Sequence, residues 1–253
     1  MSLAMIYQLL LTAQSSHPHF PPTILYNEGW LTRLVLSWFH KSRLQGHTLS
    51  FAEGATWYSE AQPPTPFRAR RRGDPRAESR THIDGLLGHL DIGTAGKTDV
   101  SLRPDATQLV VIEAKIYAPL SLGTKNAPGY GQAARNLACM AEMLSLTHRD
   151  PHAMNTLAFI VLAPASQIER GLFTGPLEKH TIRQSVAERA RQFGNELDDW
   201  LARWFEPCLE TATIAPLSWE DVLTTIGSKD PDTQASLAEF YARCLETNAP
   251  PKR

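Results

Sequence analysis

Along "YNEGWLTRLVLSWFHKSRL" the apolar residues Trp30, Leu31, Leu34, Val35, Trp38 and Phe39 recur at the spacing of one helical face. Asn27 stands where an N-cap belongs, so a helix is predicted to begin near Glu28. The stretch 60–80 then loses all periodicity and carries Pro63, Pro64, Pro66 and Pro75, the composition of an exposed loop. Three strand-like segments follow: "THIDGLLGHLDIG" at 81–93, "TDVSL" at 98–102 and the β-branched "QLVVIEAKIY" at 108–117. Pro104-Asp105 is a turn signal, which predicts that the second and third segments form a hairpin.

A helix over about 129–147 and a buried strand over 156–164, "TLAFIVLAP", come next. A long amphipathic helix at about 182–206, a short strand near "ATIAPLSW" and one or two closing helices complete the chain. The order α-β-β-β-α-β implies an α/β class with a mixed sheet and helices on both faces. One domain over 1–253 is expected, its core at about 24–164 and the C-terminal strand and helices of 165–253 packed on it.

Composition changes this picture little. At 253 residues and 42% hydrophobic, the chain can bury a core without staples. Its three cysteines, Cys139, Cys208 and Cys244, are widely spaced, so neither a disulfide framework nor a zinc knuckle is indicated, and a reducing cytoplasm fits best. The apolar opening "MSLAMIYQLLLTA" has no basic leader and is too short to span a bilayer, so neither signal peptide nor anchor is expected. Net charge is −1, but "FRARRRGDPRAESR" packs Arg68, Arg70, Arg71, Arg72, Arg76 and Arg80 together. Such a density could neutralise several phosphates; a solvated loop is the plainer alternative.

Two places invite a chemical reading. Gly96-Lys97-Thr98 closes a P-loop in letters only: Asp91 occupies the first glycine position, and the segment runs into a strand rather than a helix. The second place is the strand 108–117. Side-chain alternation puts Glu113 and Lys115 on one face of an otherwise apolar strand, where charge is costly unless paired or metal-bound. In the predicted hairpin Asp99 lies opposite Glu113, so two carboxylates and an ammonium converge. Adjacent carboxylates repel unless a cation separates them, and Mg²⁺ or Mn²⁺ with oxygen ligands answers that need, with the Ala114 carbonyl as a third protein ligand. Asp84 and Asp91, on opposite faces of an unbroken 81–93 strand, rank behind Asp99 as ligands.

The run "TDVSLRPDATQLVVIEAK" resembles the core motif of the PD-(D/E)XK nuclease superfamily, with its restriction-endonuclease-like fold, although Asp99 follows Thr98 rather than proline. Glu28 on the first helix and Gln132 in "YGQAARN", similar to the glutamine of RecB-like members, extend the resemblance over about 24–164. It implies that Asp99 and Glu113 hold Mg²⁺, with Mn²⁺ substituting, and that Lys115 orients or activates water and offsets phosphate charge. Glu28 would add an outer or second-ion ligand, and Gln132 would position the site. The expected activity is hydrolysis of phosphodiesters, DNA before RNA. Arg68, Arg70, Arg71 and Arg72, with Lys125 in the loop after the E-x-K strand, would track the backbone, and two copies of the chain would serve to cut both strands. The alternative is a non-cleaving nucleic-acid-binding or assembly module that keeps the fold.

Overall fold

The computed structural model describes residues 2–15, 17–69, 71–74, 76–78, 81–93, 99–124 and 126–250. After a first helix α1 (Ser2–Leu11), α2 runs from Glu28 to Ser42, and the Asn27 side chain caps it by accepting from the Trp30 amide at 3.0 Å. The buried stripe is Leu31, Thr32, Val35, Leu36 and Phe39, whereas Trp30 and Leu34 are exposed. The apolar face is therefore rotated slightly from the one the spacing picks out.

A strand the pattern does not predict, β1 (Thr56–Ala61), precedes the arginine-rich loop. The segment 81–93 breaks in two, β2 (Ile83–Gly88) and β3 (Leu90–Ile92). The break is at Gly88, whose φ is +153°, and a Cβ there would lie 2.2 Å from the Gln108 carbonyl oxygen. Only glycine fits that close approach. The short β4 (Val100–Leu102) and the fully buried β5 (Gln108–Ala114) follow.

The predicted hairpin between these two does not form. β4 pairs with β3, Ile92 facing Val100, while β5 pairs antiparallel with β2, Gly85 facing Ile112. The reason is burial: β2 offers apolar groups to both faces of the sheet and suits its interior. β4 is three residues long and followed by an exposed Arg103–Asp105 ion pair at 2.7 Å, so it suits only the margin.

A two-residue ribbon, β6 (Gly123–Thr124) with β7 (Ala127–Pro128), leads into α3 (Gln132–Leu146) and then β8 (Thr156–Ala163), parallel to β5. The predicted long helix is divided. Two short helices outside it, α4 (Ala165–Glu169) and α5 (Thr174–Leu177), precede α6 (Lys179–Arg191); Gly194, at φ +68°, then turns the chain into α7 (Asp198–Trp200), a π-helical turn over Leu201–Phe205, and α8 (Glu206–Thr211). β9 (Thr213–Ser218) adds in parallel at the sheet edge, the position that tolerates its Pro216. Two helices, α9 (Trp219–Gly227) and α10 (Pro231–Thr247), close the chain.

The protein is thus α/β, with a mixed five-stranded sheet ordered β1-β2-β5-β8-β9. Leu109, Val111, Phe159 and Val161 face α3 and α6 on one side; Val110, Ile112, Ile160 and Leu162 face α2, α9 and α10 on the other. α2 approaches closely because position 85 is glycine: a Cβ there would meet Leu36, Thr32 and Ile112 at 3.1–3.3 Å. Among the described residues no helix is long and apolar enough to cross a membrane.

Candidate active site

One step beyond the Gly85–Ile112 pair, the register brings Asp84 opposite Glu113. Both belong to the α3 side of the sheet, sharing parity with Leu86 and Val111. The two strands part at this point. The Ala114 amide donates to Asp84 Oδ2 at 2.8 Å, so a side-chain carboxylate replaces the backbone partner that β2 would have supplied. The next amide, Lys115 N–H, points the other way to the Leu162 carbonyl at 2.8 Å. Because a trans peptide sets its C=O opposite its N–H, the Ala114 carbonyl faces the Asp84 side of the strand.

Glu113 is almost wholly buried, its side chain 2% exposed, yet it is surrounded by donors. Lys115 Nζ reaches its Oε1 at 2.7 Å, and Gln132 Nε2 donates to the same oxygen at 2.5 Å. Asn136 Nδ2 donates to Oε2 at 3.2 Å. Gln132 and Asn136 are four apart on α3, hence one above the other on the helical face turned to the sheet. Gln132 also accepts from the Ser121 amide at 3.2 Å, which ties the loop after β5 to the carboxylate. Backbone anchors hold the end of β5 rigid: Trp219 Nε1 donates to the Lys115 carbonyl at 3.0 Å and Gln167 Nε2 to the Ile116 carbonyl at 2.6 Å.

The electrostatic result falls on Asp84. Burial, then the neighbouring Glu113 charge and a hydrogen bond with that carboxyl, push its pKa up to about 7, against the opposing pull of the Ala114 amide and Lys115. Two adjacent carboxylates, one buried and one half-buried, with a single ammonium cannot both ionise at low cost.

This geometry corrects the sequence reading at its centre. Asp99 does not face Glu113; it forms a parallel bridge with Gln62, just past the end of β1, on the far side of β1 and β2 from β5. Asp84 takes its place. Asp84 does carry a signal, a lone acid in the both-faces apolar strand "IDGLLG", but nearness in sequence favours Asp99, and strand pairing does not follow nearness in sequence. Asn136 was also missed, though it falls one turn after Gln132.

Glu28 opens α2 on the opposite face of the sheet, half-buried. Its charge helps burial lift the Cys244 thiol to about 12, and among the described residues no hydrogen bond joins it to Asp84 or Glu113. Arg68 is engaged: its guanidinium pairs with Glu142 of α3 at 2.9 Å, opposing the burial that raises that carboxyl. Arg71 and Arg72 are exposed, as a backbone-tracking role requires. Arg70, Lys125 and Gly96-Lys97-Thr98 lie outside the described residues.

Among the described residues, no three His, Cys, Asp or Glu side chains gather as a metal-ligand cluster. A cation here would be held by two carboxylates and the Ala114 carbonyl, a set that suits Mg²⁺, which commonly keeps several waters. No family model, curated protein or solved structure matches the chain.

Proposed function

We propose that the protein is a Mg²⁺-dependent phosphodiesterase of the PD-(D/E)XK kind, acting on nucleic acid, DNA before RNA. The observation that carries this reading is the carboxylate pair of buried Glu113 and Asp84, whose pKa is raised, with Lys115 at 2.7 Å from Glu113. A packed core would gain from apolar residues at these positions, so the arrangement calls for a cation. The donor set fits one: oxygen ligands only, on a rigid sheet end, with Asp84 holding a proton that a divalent ion would displace. Charge supports the substrate class, since two carboxylates, one ammonium and one divalent cation sum to +1, the complement of one phosphodiester.

Asp84, Glu113 and the Ala114 carbonyl would hold the ion. When bound, Mg²⁺ lowers the pKa of water and neutralises developing charge on a phosphoryl oxygen. Lys115, its ammonium fixed by Glu113, offsets phosphate charge and orients the attacking water by hydrogen bonding. Gln132 and Asn136 fix the Glu113 rotamer from α3, so that both oxygens keep their directions. Arg71 and Arg72 supply sequence-independent contacts to the backbone.

The test is cleavage of labelled DNA with Mg²⁺ by the wild type, Asp84→Asn, Lys115→Met and Asp99→Ala. The first two variants are expected to lose cleavage by a factor of about 10² or more while remaining folded, and Asp99→Ala to retain it. Undiminished cleavage by Asp84→Asn would end this reading. A chain that binds DNA and Mn²⁺ without cutting would favour the non-cleaving module instead.

A further inference from the structure

Next to the carboxylate pair is a cavity of about 320 Å³, walled by the loop after β5, the start of α3, α5 and α6. Its volume is at the lower end of the about 300–1,000 Å³ typical of small-molecule sites. Leu120, Ala134 and Ile182 make its lining largely apolar, and Ser121, Thr181 and Ser185 supply a few polar groups. Gln132 belongs to both places: it lines the cavity, donates to Glu113 Oε1, and accepts from the amide of Ser121 in the cavity wall. The cavity is therefore one side chain away from the carboxylates.

On the nuclease reading above, we propose that this cavity receives the nucleoside adjoining the scissile phosphate, so that the strand is cut where that base is unpaired. A flat apolar heterocycle with polar edges matches an apolar chamber with a few hydroxyls. The shared Gln132 places the occupant: a phosphodiester at Asp84 and Glu113 would have its next nucleoside on the far side of that side chain, at the cavity. A base lodged between a loop and three helices cannot remain stacked and paired in a duplex, and extrusion is easiest from single strands or frayed ends.

Gly175, at the cavity rim on α5, tests this with little risk to the fold. It is exposed, and a Cβ added there meets nothing within 4 Å. Gly175→Leu and Gly175→Trp fill the cavity progressively. Wild type and variants are compared on single-stranded DNA, on the same sequence as a blunt duplex, and on bis(p-nitrophenyl) phosphate, a diester with no base. The expected result is faster cutting of the single strand by the wild type, and a loss of about tenfold or more on that strand in the variants, larger for Trp. Hydrolysis of the small diester and Mn²⁺ affinity stay unchanged. Equal cutting of single strand and duplex by the wild type, or variants that cut the single strand as the wild type does, would overturn the cavity's role and leave the nuclease reading standing. No hydrolysis of any diester and no Mn²⁺ binding by the wild type would overturn both.

Discussion

Lowering the pH from 8 to 6 is expected to weaken Mn²⁺ binding about tenfold, because the ion must displace a proton from Asp84. The magnitude follows from the carboxyl being held up to about 7 by burial and by Glu113. A competing proton raises the apparent Kd by 1 + 10^(pKa − pH), which is about 11 at pH 6 and about 1.1 at pH 8, a difference of about 1.4 kcal/mol. Calorimetric titration in two buffers of different ionisation enthalpy separates binding heat from proton release. Close to one proton should leave per ion at pH 6 and close to none at pH 8. An affinity that does not change across this range, or binding at pH 6 with no proton released, would refute both the raised Asp84 and its role as ligand.

The same shift sets a stability trend in metal-free protein. The folded state binds the Asp84 proton more tightly than the unfolded chain, so its contribution is fully present below pH 4 and is lost as pH rises through about 7. The loss amounts to about 4 kcal/mol, and Asp84→Asn should remove that slope in urea melts and exceed the wild type at pH 8. Asn136→Ala should leave Glu113 Oε2 without its α3 donor, lowering kcat about tenfold with KM little changed; a pure KM effect would refute a positioning role. Gly88→Ala should destabilise by about 3 kcal/mol or more in the same melts, since its Cβ would overlap the Gln108 carbonyl; a neutral effect would refute the tight β2–β5 crossing.

What the sequence made legible was whatever repeats locally. The α2 periodicity, the β-branched run of β5, α3 and β8 all declare themselves within a few residues, and so did Glu113, Lys115 and Gln132. Pairing between strands is not local. The turn at Pro104-Asp105 does form, with the Ala106 amide donating to the Arg103 carbonyl at 3.0 Å, but it leads β4 around a corner instead of back along β5. β1, "TWYSEA", has a weak pattern because it is short and half-polar, yet it covers the outer edge of β2 and so makes β2 an interior strand. That single displacement moved the acidic partner from Asp99 to Asp84. The division of the 182–206 helix at Gly194 was visible as a glycine but was outweighed by the flanking periodicity.

The oxygen of Asp84 that receives the Ala114 amide gives position 84 two separate obligations, one to the sheet and one to the chemistry. Lys115 has a structural task of its own, as the ammonium paired with the buried Glu113 carboxylate. On the proposed function, a relative that lost cleavage would need at 115 only a partner for Glu113, while at 84 it would still be confined to aspartate, asparagine or another short acceptor. An acceptor of either kind at 84 is therefore a mark of the architecture, and on the proposed function the Asp84 carboxylate together with the Lys115 ammonium marks a chain that cuts.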